Sequence, residues 1–235
     1  MSKKILFIDS GVGAVSILNE VRRLDKYLDC LVLIDNKNAP FGNKNNDTLN
    51  RTCYQNICAV LSVYDVGLIV LACNTLTVSS IKYLRERLHL PIVGTEPNIK
   101  VDAKTLALCT EFTANNCTLL RRNKNILSLP MPNLASLIDR NLNNLDKIKP
   151  YLKSLLKDYS KYNYIILGCT HYDFVKKQIS DVLNTTDINW VENKYGVAKR
   201  VMHFVNDSFY SKPRVHILLT KQDKKYRKMI DTFIL

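Results

Sequence analysis

Short apolar runs alternate with longer segments of mixed polarity along this chain. Several runs are apolar at consecutive positions instead of at every second one, which is typical of strands buried on both faces of a parallel sheet. Strands that alternate with helix-length segments predict an α/β fold, in which a mostly parallel sheet is flanked by helices. The predicted strands cover residues 4–8, 30–34, 67–71, 91–94, 106–109, 125–127, 164–167 and 215–219.

The segments between these strands predict helices. Asp47 is expected to cap the second of them, because a short carboxylate accepts hydrogen bonds from the first backbone N–H groups, and Ser79 and Ser80 are expected to open the third. Leucines spaced by three or four residues over 134–155 predict one or two amphipathic helices broken by Pro150. The predicted helices cover residues 14–28, 47–63, 78–88, 147–161, 174–183 and 221–233.

One short phrase occurs twice in the sequence. It reads LIVLACNT at residues 68–75 and YIILGCTH at residues 164–171, so each copy sets a cysteine, Cys73 or Cys169, just after an apolar strand. The repetition predicts two pseudo-symmetric α/β lobes with an active site in the cleft between them. We expect the first lobe to comprise residues 1–93 and 206–235, and the second lobe to comprise residues 94–205.

The composition is that of a globular protein, with 46% hydrophobic and 23% charged residues among 235. No stretch approaches the roughly 18 apolar residues that span a bilayer. The apolar run at residues 5–8 ends at Asp9 and is too short for a signal peptide, so we expect a cytoplasmic protein without a membrane partner. The seven cysteines are odd in number and lack C-x-x-C spacing, so neither a disulfide framework nor a metal site is expected.

The formal net charge of +13 raises the possibility of a nucleic-acid partner. The lysines are scattered, however, and their densest run, at residues 221–228, lacks the interleaved aromatic residues of RNA- and DNA-binding modules. We therefore favour a solvated basic surface, and nucleic-acid binding is kept as an alternative that would be sensitive to salt.

Polar residues follow several of the predicted strands, at the sheet edge where α/β proteins bind ligands. The turn after the first strand contains Gly11 and Gly13, which allow close backbone approach to an anion. The side chains at this edge offer hydroxyls, an amide, carboxylates, an imidazole and two thiols. Such a set suits a small zwitterionic ligand that carries carboxylates, and it implies no cofactor. These residues are Asp9, Ser10, Asp35, Phe41, Gly42, Cys73, Asn74, Thr75, Thr110, Thr113, Cys169, Thr170 and His171.

Each of the two cysteines has a candidate acid/base residue close to it in the predicted site. A free thiol with a pKa of about 8.5 is mostly protonated at neutral pH, and it becomes a base only when a neighbour takes its proton or stabilises its charge. Asp9 is the candidate neighbour of Cys73, and His171 lies two residues after Cys169. A single cysteine or histidine is more often structural, but the repeated context favours chemistry on both faces of one carbon atom.

Four segments in this order, residues 7–13, 71–75, 93–97 and 167–172, resemble the aspartate/glutamate racemase family, and within it the glutamate racemases. The resemblance covers nearly the whole chain. It implies two α/β lobes and cofactor-independent interconversion of L- and D-glutamate. It also implies a cytoplasmic homodimer that supplies D-glutamate for peptidoglycan, and hence for cell shape.

The resemblance also implies roles for individual residues. Cys73 matches the cysteine that acts on the D-enantiomer, and Cys169 matches the one that acts on the L-enantiomer, with Asp9 and His171 assisting them. The positions that match substrate-binding residues are Ser10, Phe41, Gly42, Asn74, Thr75, Thr113 and Thr170.

The chain departs from the family at several of these places. Phe41 stands where a tyrosine is usual, and a glutamate of the second lobe has no clear counterpart near residues 130–137. The stretch at residues 110–113 lacks the glycine expected there, and Phe112 adds bulk. Two alternatives are left open, the first by these changes and the second by the net charge of +13. The chain could be a racemase of aspartate or another amino acid, or a weakly active relative that binds nucleic acid through its basic surface.

Overall fold

A computed structural model of the chain describes residues 2–101, 103–210 and 214–235. Within these ranges strands and helices alternate, as predicted. The strands are β1 Lys4–Asp9, β2 Cys30–Ile34, β3 Val66–Leu71, β4 Ile92–Gly94, β5 Thr105–Cys109, β6 Ile126–Pro130, β7 Tyr164–Gly168, β8 Asn189–Val191 and β9 Val215–Leu219. The helices are α1 Gly13–Leu24, α2 Asn46–Leu61, α3 Asn74–Arg85, α4 Glu111–Asn116, α5 Thr118–Arg122, α6 Leu134–Arg140, α7 Lys149–Leu156, α8 Lys176–Leu183, α9 Lys194–Met202 and α10 Lys224–Asp231.

The strands form two sheets with related strand orders. The five-stranded sheet has the order β4-β3-β1-β2-β9, and the four-stranded sheet has the order β6-β5-β7-β8. Read from its other edge, the second sheet is β8-β7-β5-β6. Counted within its own sheet this is the fourth, third, first and second strand, which is the same order as β4-β3-β1-β2 in the first sheet. Every strand pairing is parallel. The predicted α/β class with two parallel sheets is confirmed, while the residue boundaries of the two lobes stay a prediction.

One apolar core joins the two sheets. Phe7 of β1, Leu106 of β5 and Ile165 of β7 are fully buried in the same hydrophobic cluster, together with Ile17 and Leu18 of α1. Burying one such side chain stabilises the fold by roughly 1.5–3 kcal/mol. The cleft between the sheets is therefore backed by a packed hydrophobic contact on the side of α1.

Several helix boundaries differ from the prediction. Asn45, not Asp47, caps α2, since its side chain accepts a hydrogen bond from the backbone N–H of Thr48 at 2.9 Å. Pro150 is the second residue of α7 and does not break a helix, because a first-turn residue needs no N–H partner. The predicted opening at Ser79 is also wrong.

The start of α3 matters for the site. This helix begins at Asn74, so that Cys73 is its N-cap residue and Ser79 lies inside it.

The strand β8 was missed because it has only three residues and no clear apolar run. No helix in the described ranges is long and apolar enough to cross a membrane.

Strand register brings the functional residues together. In the first sheet Ile8 pairs with Leu71, so Asp9 and Cys73 leave the sheet side by side. In the second sheet Cys109 pairs with Gly168, so the residues that follow, Thr110 and Cys169, also leave it together. Carboxyl ends of parallel strands are the usual ligand-binding edge of such sheets.

Candidate active site

A narrow cavity with an open mouth lies between the carboxyl edges of the two sheets. Both repeated cysteines line it, and each is only 6% exposed. The five-stranded side contributes Asp9, Ser10, Pro40, Phe41, Gly42, Asn43, Cys73 and Thr75, and the four-stranded side contributes Thr110, Glu111, Met131, Pro132, Asn133, Ala135, Cys169, His171 and Tyr172.

Cys73 and Asp9 form the acid/base pair of the five-stranded sheet. Burial raises the pKa of the Cys73 thiol well above its usual value, and the charges of Asp9 and Cys169 raise it further. Burial also raises the pKa of Asp9, although His171, the Ser10 N–H and the hydroxyl of Thr170 oppose this effect. Cys73 is therefore held as a thiol, beside a carboxylate whose proton affinity is increased.

Cys169 and His171 form the corresponding pair of the four-stranded sheet. The Cys169 Sγ lies 3.9 Å from the Nδ1 of His171, whose ring is 2% exposed. Burial alone lowers the pKa of His171, but the charge and hydrogen bond of Asp139, the Cys169 sulfur and the charge of Asp9 together raise it well above 6.5. The imidazole is thus held in its protonated, cationic form near neutral pH.

Asp139 is a member of this site that sequence reasoning missed. It lies on α6, and its Oδ2 is 3.3 Å from the Nε2 of His171. Its Oδ1 accepts hydrogen bonds from the backbone N–H of Val12 at 3.0 Å and from the hydroxyl of Tyr226 at 2.7 Å. The resemblance led us to look for a second-lobe carboxylate near residues 130–137, and Asp139 lies two residues beyond that window.

The two acid/base pairs are connected across the cleft. The hydroxyl of Thr170, next to Cys169, donates a hydrogen bond to the Oδ2 of Asp9 at 2.9 Å. The same oxygen lies 3.9 Å from the Nδ1 of His171. Asp9 therefore carries a negative charge close to the imidazolium of the other sheet as well as to Cys73.

Gly11 and Gly13 are required by close approach, not by an unusual backbone conformation, since no described glycine has a positive φ. A Cβ atom on Gly11 would lie 2.5 Å from the Nε2 of His171, and one on Gly13 would lie 2.5 Å from its Nδ1. The turn after β1 therefore passes directly against the imidazole, where only a glycine backbone fits.

Three of the predicted substrate-binding residues do not line this cavity. Thr113 is fully buried, and Thr110 stands between it and the cavity, with its Oγ1 2.9 Å from that of Thr75 and 3.0 Å from that of Thr113. Asn74 and Thr170 instead line a narrow neighbouring cavity that also reaches Cys169. The other predicted site residues, Asp9, Ser10, Phe41, Gly42, Cys73, Thr75, Cys169 and His171, line the main cavity.

Two curated relatives are similar to this chain over most of their length. The glutamate racemase of Clostridium botulinum strain Okra is 36% identical over 194 residues, which is 77% of this chain and 75% of the relative. That of Clostridium botulinum strain Hall is 32% identical over 220 residues, which is 88% of this chain and 85% of the relative. This chain belongs to the glutamate racemase family. The resemblance drawn from four sequence segments is thereby confirmed.

A solved glutamate racemase structure supports the fold of this family member. The Escherichia coli glutamate racemase, crystallised in complex with L-glutamate and the activator UDP-MurNAc-Ala, matches it with a TM-score of 0.88. The match covers 100% of this chain and 96% of the other at 24% identity, so it bears on architecture alone. No protein-family model matches the chain. In the part of the chain that the structure describes, no group of three or more His, Cys, Asp or Glu side chains is placed to hold a metal ion.

Proposed function

We propose that this protein interconverts L- and D-glutamate without a cofactor, with Cys73 and Cys169 acting on opposite faces of the α-carbon. The observation that carries the proposal is that two cysteines, at equivalent positions in two sheets of the same strand order, line one cavity. Membership of the glutamate racemase family supports glutamate as the substrate. We expect the product to supply D-glutamate for peptidoglycan, and so to affect cell shape.

Cys169 removes the α-proton when the substrate is L-glutamate. A cationic imidazole 3.9 Å from the sulfur is an arrangement that stabilises a thiolate. The proton passes from the α-carbon to this thiolate, and the electron pair of the C–H bond stays on the α-carbon. The Cys73 thiol then gives its proton to the opposite face, which yields D-glutamate and a Cys73 thiolate.

Asp9 completes the cycle at Cys73. In the direction from D- to L-glutamate, Cys73 must first lose its proton, and the adjacent carboxylate with its raised pKa is the base that accepts it. The roles of the two thiols are then exchanged. This division gives each cysteine one partner suited to its task, an imidazolium for Cys169 and a carboxylate for Cys73.

The carbanion is the difficult species in this reaction, because an α-proton next to a carboxylate is very weakly acidic. Helix α3 begins directly after Cys73, so its first backbone N–H groups and its dipole are available to the substrate carboxylate. The hydroxyls of Thr75 and Thr110, one from each side of the cavity, are hydrogen-bonded to each other at 2.9 Å at its edge. Fixed donors that line the cavity are the groups expected to stabilise the developing charge.

The two phenylalanines that prompted the alternative substrates do not add polar groups to the site. Phe41 is 3% exposed and belongs to the hydrophobic cluster under the five-stranded sheet, and Phe112 packs against the same cluster. The hypothesis of a racemase for aspartate or another amino acid is therefore not favoured. A panel of enantiopure amino acids, followed by circular dichroism, tests this point.

The proposal is tested with the purified protein and glutamate of either configuration. We expect the circular dichroism signal of each enantiomer to decay to zero, with equal kcat/KM in both directions because the enantiomers have equal free energies. Cys73→Ser and Cys169→Ser should each abolish racemisation, whereas Cys58→Ser, a partly buried cysteine of α2 outside the cavity, should not. Undiminished racemisation by both site variants would refute the proposal.

Two further expectations come from the resemblance, namely a homodimer and a cytoplasmic location. Light scattering of the purified protein tests the first, and fractionation of the cells that make it tests the second. Nucleic-acid binding through the basic surface is not favoured, because family membership accounts for the chain without it. Detectable binding of DNA or RNA at physiological salt would reopen that alternative.

A further inference from the structure

Tyr226 contacts the acid/base network from outside the cavity. It lies on α10, its ring is 8% exposed, and its hydroxyl is 2.7 Å from the Oδ1 of Asp139. Burial and the charge of Asp139 raise the pKa of Tyr226, so the phenol keeps its proton and acts as the donor. Tyr226 itself does not line the cavity that holds the two thiols, in contrast to His171.

The Asp139 carboxylate is oriented by donors from the other half of the molecule. Asp139 is on α6, which follows β6 of the four-stranded sheet, whereas Val12 follows β1 and Tyr226 follows β9 of the five-stranded sheet. Val12 and Tyr226 both bind Oδ1. This leaves Oδ2 facing the Nε2 of His171.

We propose that Tyr226 is a positioning residue for proton transfer at Cys169. Its hydroxyl holds Asp139 so that the second carboxylate oxygen supports His171, and His171 in turn supports the thiolate of Cys169. This inference rests on the proposed function, and it adds a residue of the last helix that neither the sequence nor the resemblance indicated. Cys73 is reached less directly, because its partner is Asp9, and the Oδ2 of Asp9 lies 3.9 Å from the Nδ1 of His171.

The surroundings of Asp139 explain why a holding group is needed. The Asp139 side chain is 18% exposed and also borders an open groove lined by three cationic side chains, Arg140, Lys221 and Lys225, against one further carboxylate, Asp223. Without the phenol, the carboxylate has one fixed donor on Oδ1, the Val12 N–H, and competing cations on the groove side. Asp139 can then turn away from His171, which leaves a buried imidazole without its main partner.

The test separates the two half-reactions. When an enantiomer of 3-chloroglutamate loses its α-proton to a cysteine thiolate, chloride leaves the β-carbon and the resulting enamine hydrolyses to 2-oxoglutarate and ammonia. Only the deprotonating cysteine is needed, so the L-enantiomer reports on Cys169 and the D-enantiomer on Cys73. For Tyr226→Phe we expect elimination from the L-enantiomer to fall about tenfold, the worth of one hydrogen bond to a charged group, and elimination from the D-enantiomer to fall clearly less.

A matched control is provided by Tyr210, whose hydroxyl also donates to a carboxylate, Asp25, at 2.9 Å but at the surface. Tyr210→Phe should leave both rates unchanged. In an Asp139→Asn background, Tyr226→Phe should cause no further loss, because the two residues act in series.

The outcomes distinguish the inference from the proposed function. Equal losses for both enantiomers, or no loss for the L-enantiomer, would overturn the positioning role of Tyr226 while leaving racemisation intact. Thermal unfolding of Tyr226→Phe within a few degrees of the wild type ensures that a selective loss is not a folding defect. A wild-type protein that processes neither glutamate nor either chloro-enantiomer would contradict the proposed function, and the inference would fall with it.

Discussion

Gly13 begins α1, where alanine is ordinarily the better helix former, yet we predict that Gly13→Ala impairs both stability and activity. The added Cβ atom would lie 2.5 Å from the Nδ1 of His171 and closer still to the Oδ2 of Asp9 and the Oγ1 of Thr170. A real Cβ atom essentially never approaches another heavy atom within 3.0 Å. All three neighbours are buried, so none can move aside without breaking a contact.

The expected magnitudes follow from these contacts. Overpacking a buried site costs about 1–3 kcal/mol, and the gain in helix propensity from glycine to alanine offsets at most about 1 kcal/mol of that. A net loss from the middle of that range, about 1–2 kcal/mol, should lower Tm by about 2–8 °C for a chain of this size. Displacing Asp9 breaks its hydrogen bond to Thr170, and losing one bond to a charged group should lower kcat about 10- to 100-fold.

The assays are thermal unfolding and racemisation of L-glutamate followed by circular dichroism. Gly196→Ala in α9 is the matched control, because its Cβ would also lie 2.5 Å from an oxygen, but that oxygen belongs to the half-buried side chain of Asn193, which can yield at the cost of the one hydrogen bond that its Nδ2 donates to the Glu96 carbonyl. The control should unfold within a few degrees of the wild-type temperature and keep full activity. A Gly13→Ala protein as stable and active as the wild type would show that the acid/base groups do not pack against the β1–α1 turn as described.

Two further predictions concern the neighbours of the thiols. Thr110→Val removes a hydroxyl from the cavity wall and should raise the KM for glutamate about tenfold. Thr113→Val should cost about 1 kcal/mol of unfolding free energy and leave KM within about twofold. A raised KM in Thr113→Val with an unchanged KM in Thr110→Val would mean that the substrate binds Thr113. Asp139→Asn should weaken the pH dependence of the unfolding free energy. In the wild type the folded pKa of His171 is raised above its unfolded value of about 6.5. The stability that His171 adds is therefore complete below pH 6.5 and is lost as the pH rises through the folded pKa. Denaturant unfolding from pH 6 to 9 measures this loss, and an undiminished loss in the variant would refute the role of Asp139.

The fold was predictable because most of its strands are buried on both faces. The runs at β2 and β5 are buried at every position, and a continuous apolar pattern identifies such strands directly. The pattern failed at β8, whose three residues are exposed or half-buried, since a short edge strand has no apolar period to detect. The N-terminus of α3 was also placed too late, because polar residues at the site replace the apolar spacing of an ordinary first turn.

The thiols and their partners were predictable, whereas the supporting residues were not. Cys73 and Cys169 stand at strand ends within a repeated phrase, and Asp9 and His171 are close to strand ends as well. Only the register between β5 and β7 shows that Thr110, and not Thr113, is the threonine that lines the cavity. Asp139 and Tyr226 reach the site through contacts with residues 32 and 87 positions away, from helices on different sheets, and no local pattern encodes such a meeting.

The central claim is that two thiols serve opposite faces of one carbon, and the fate of the α-hydrogen tests it most directly. L-glutamate is converted in deuterated water, and both enantiomers are analysed at low conversion. If Cys169 removes the proton and Cys73 supplies another, the D-glutamate formed carries deuterium at the α-carbon while the recovered L-glutamate still carries protium. D-glutamate that retains the original α-protium, or L-glutamate that takes up deuterium as fast as D-glutamate forms, would mean that one group serves both faces and would contradict the account.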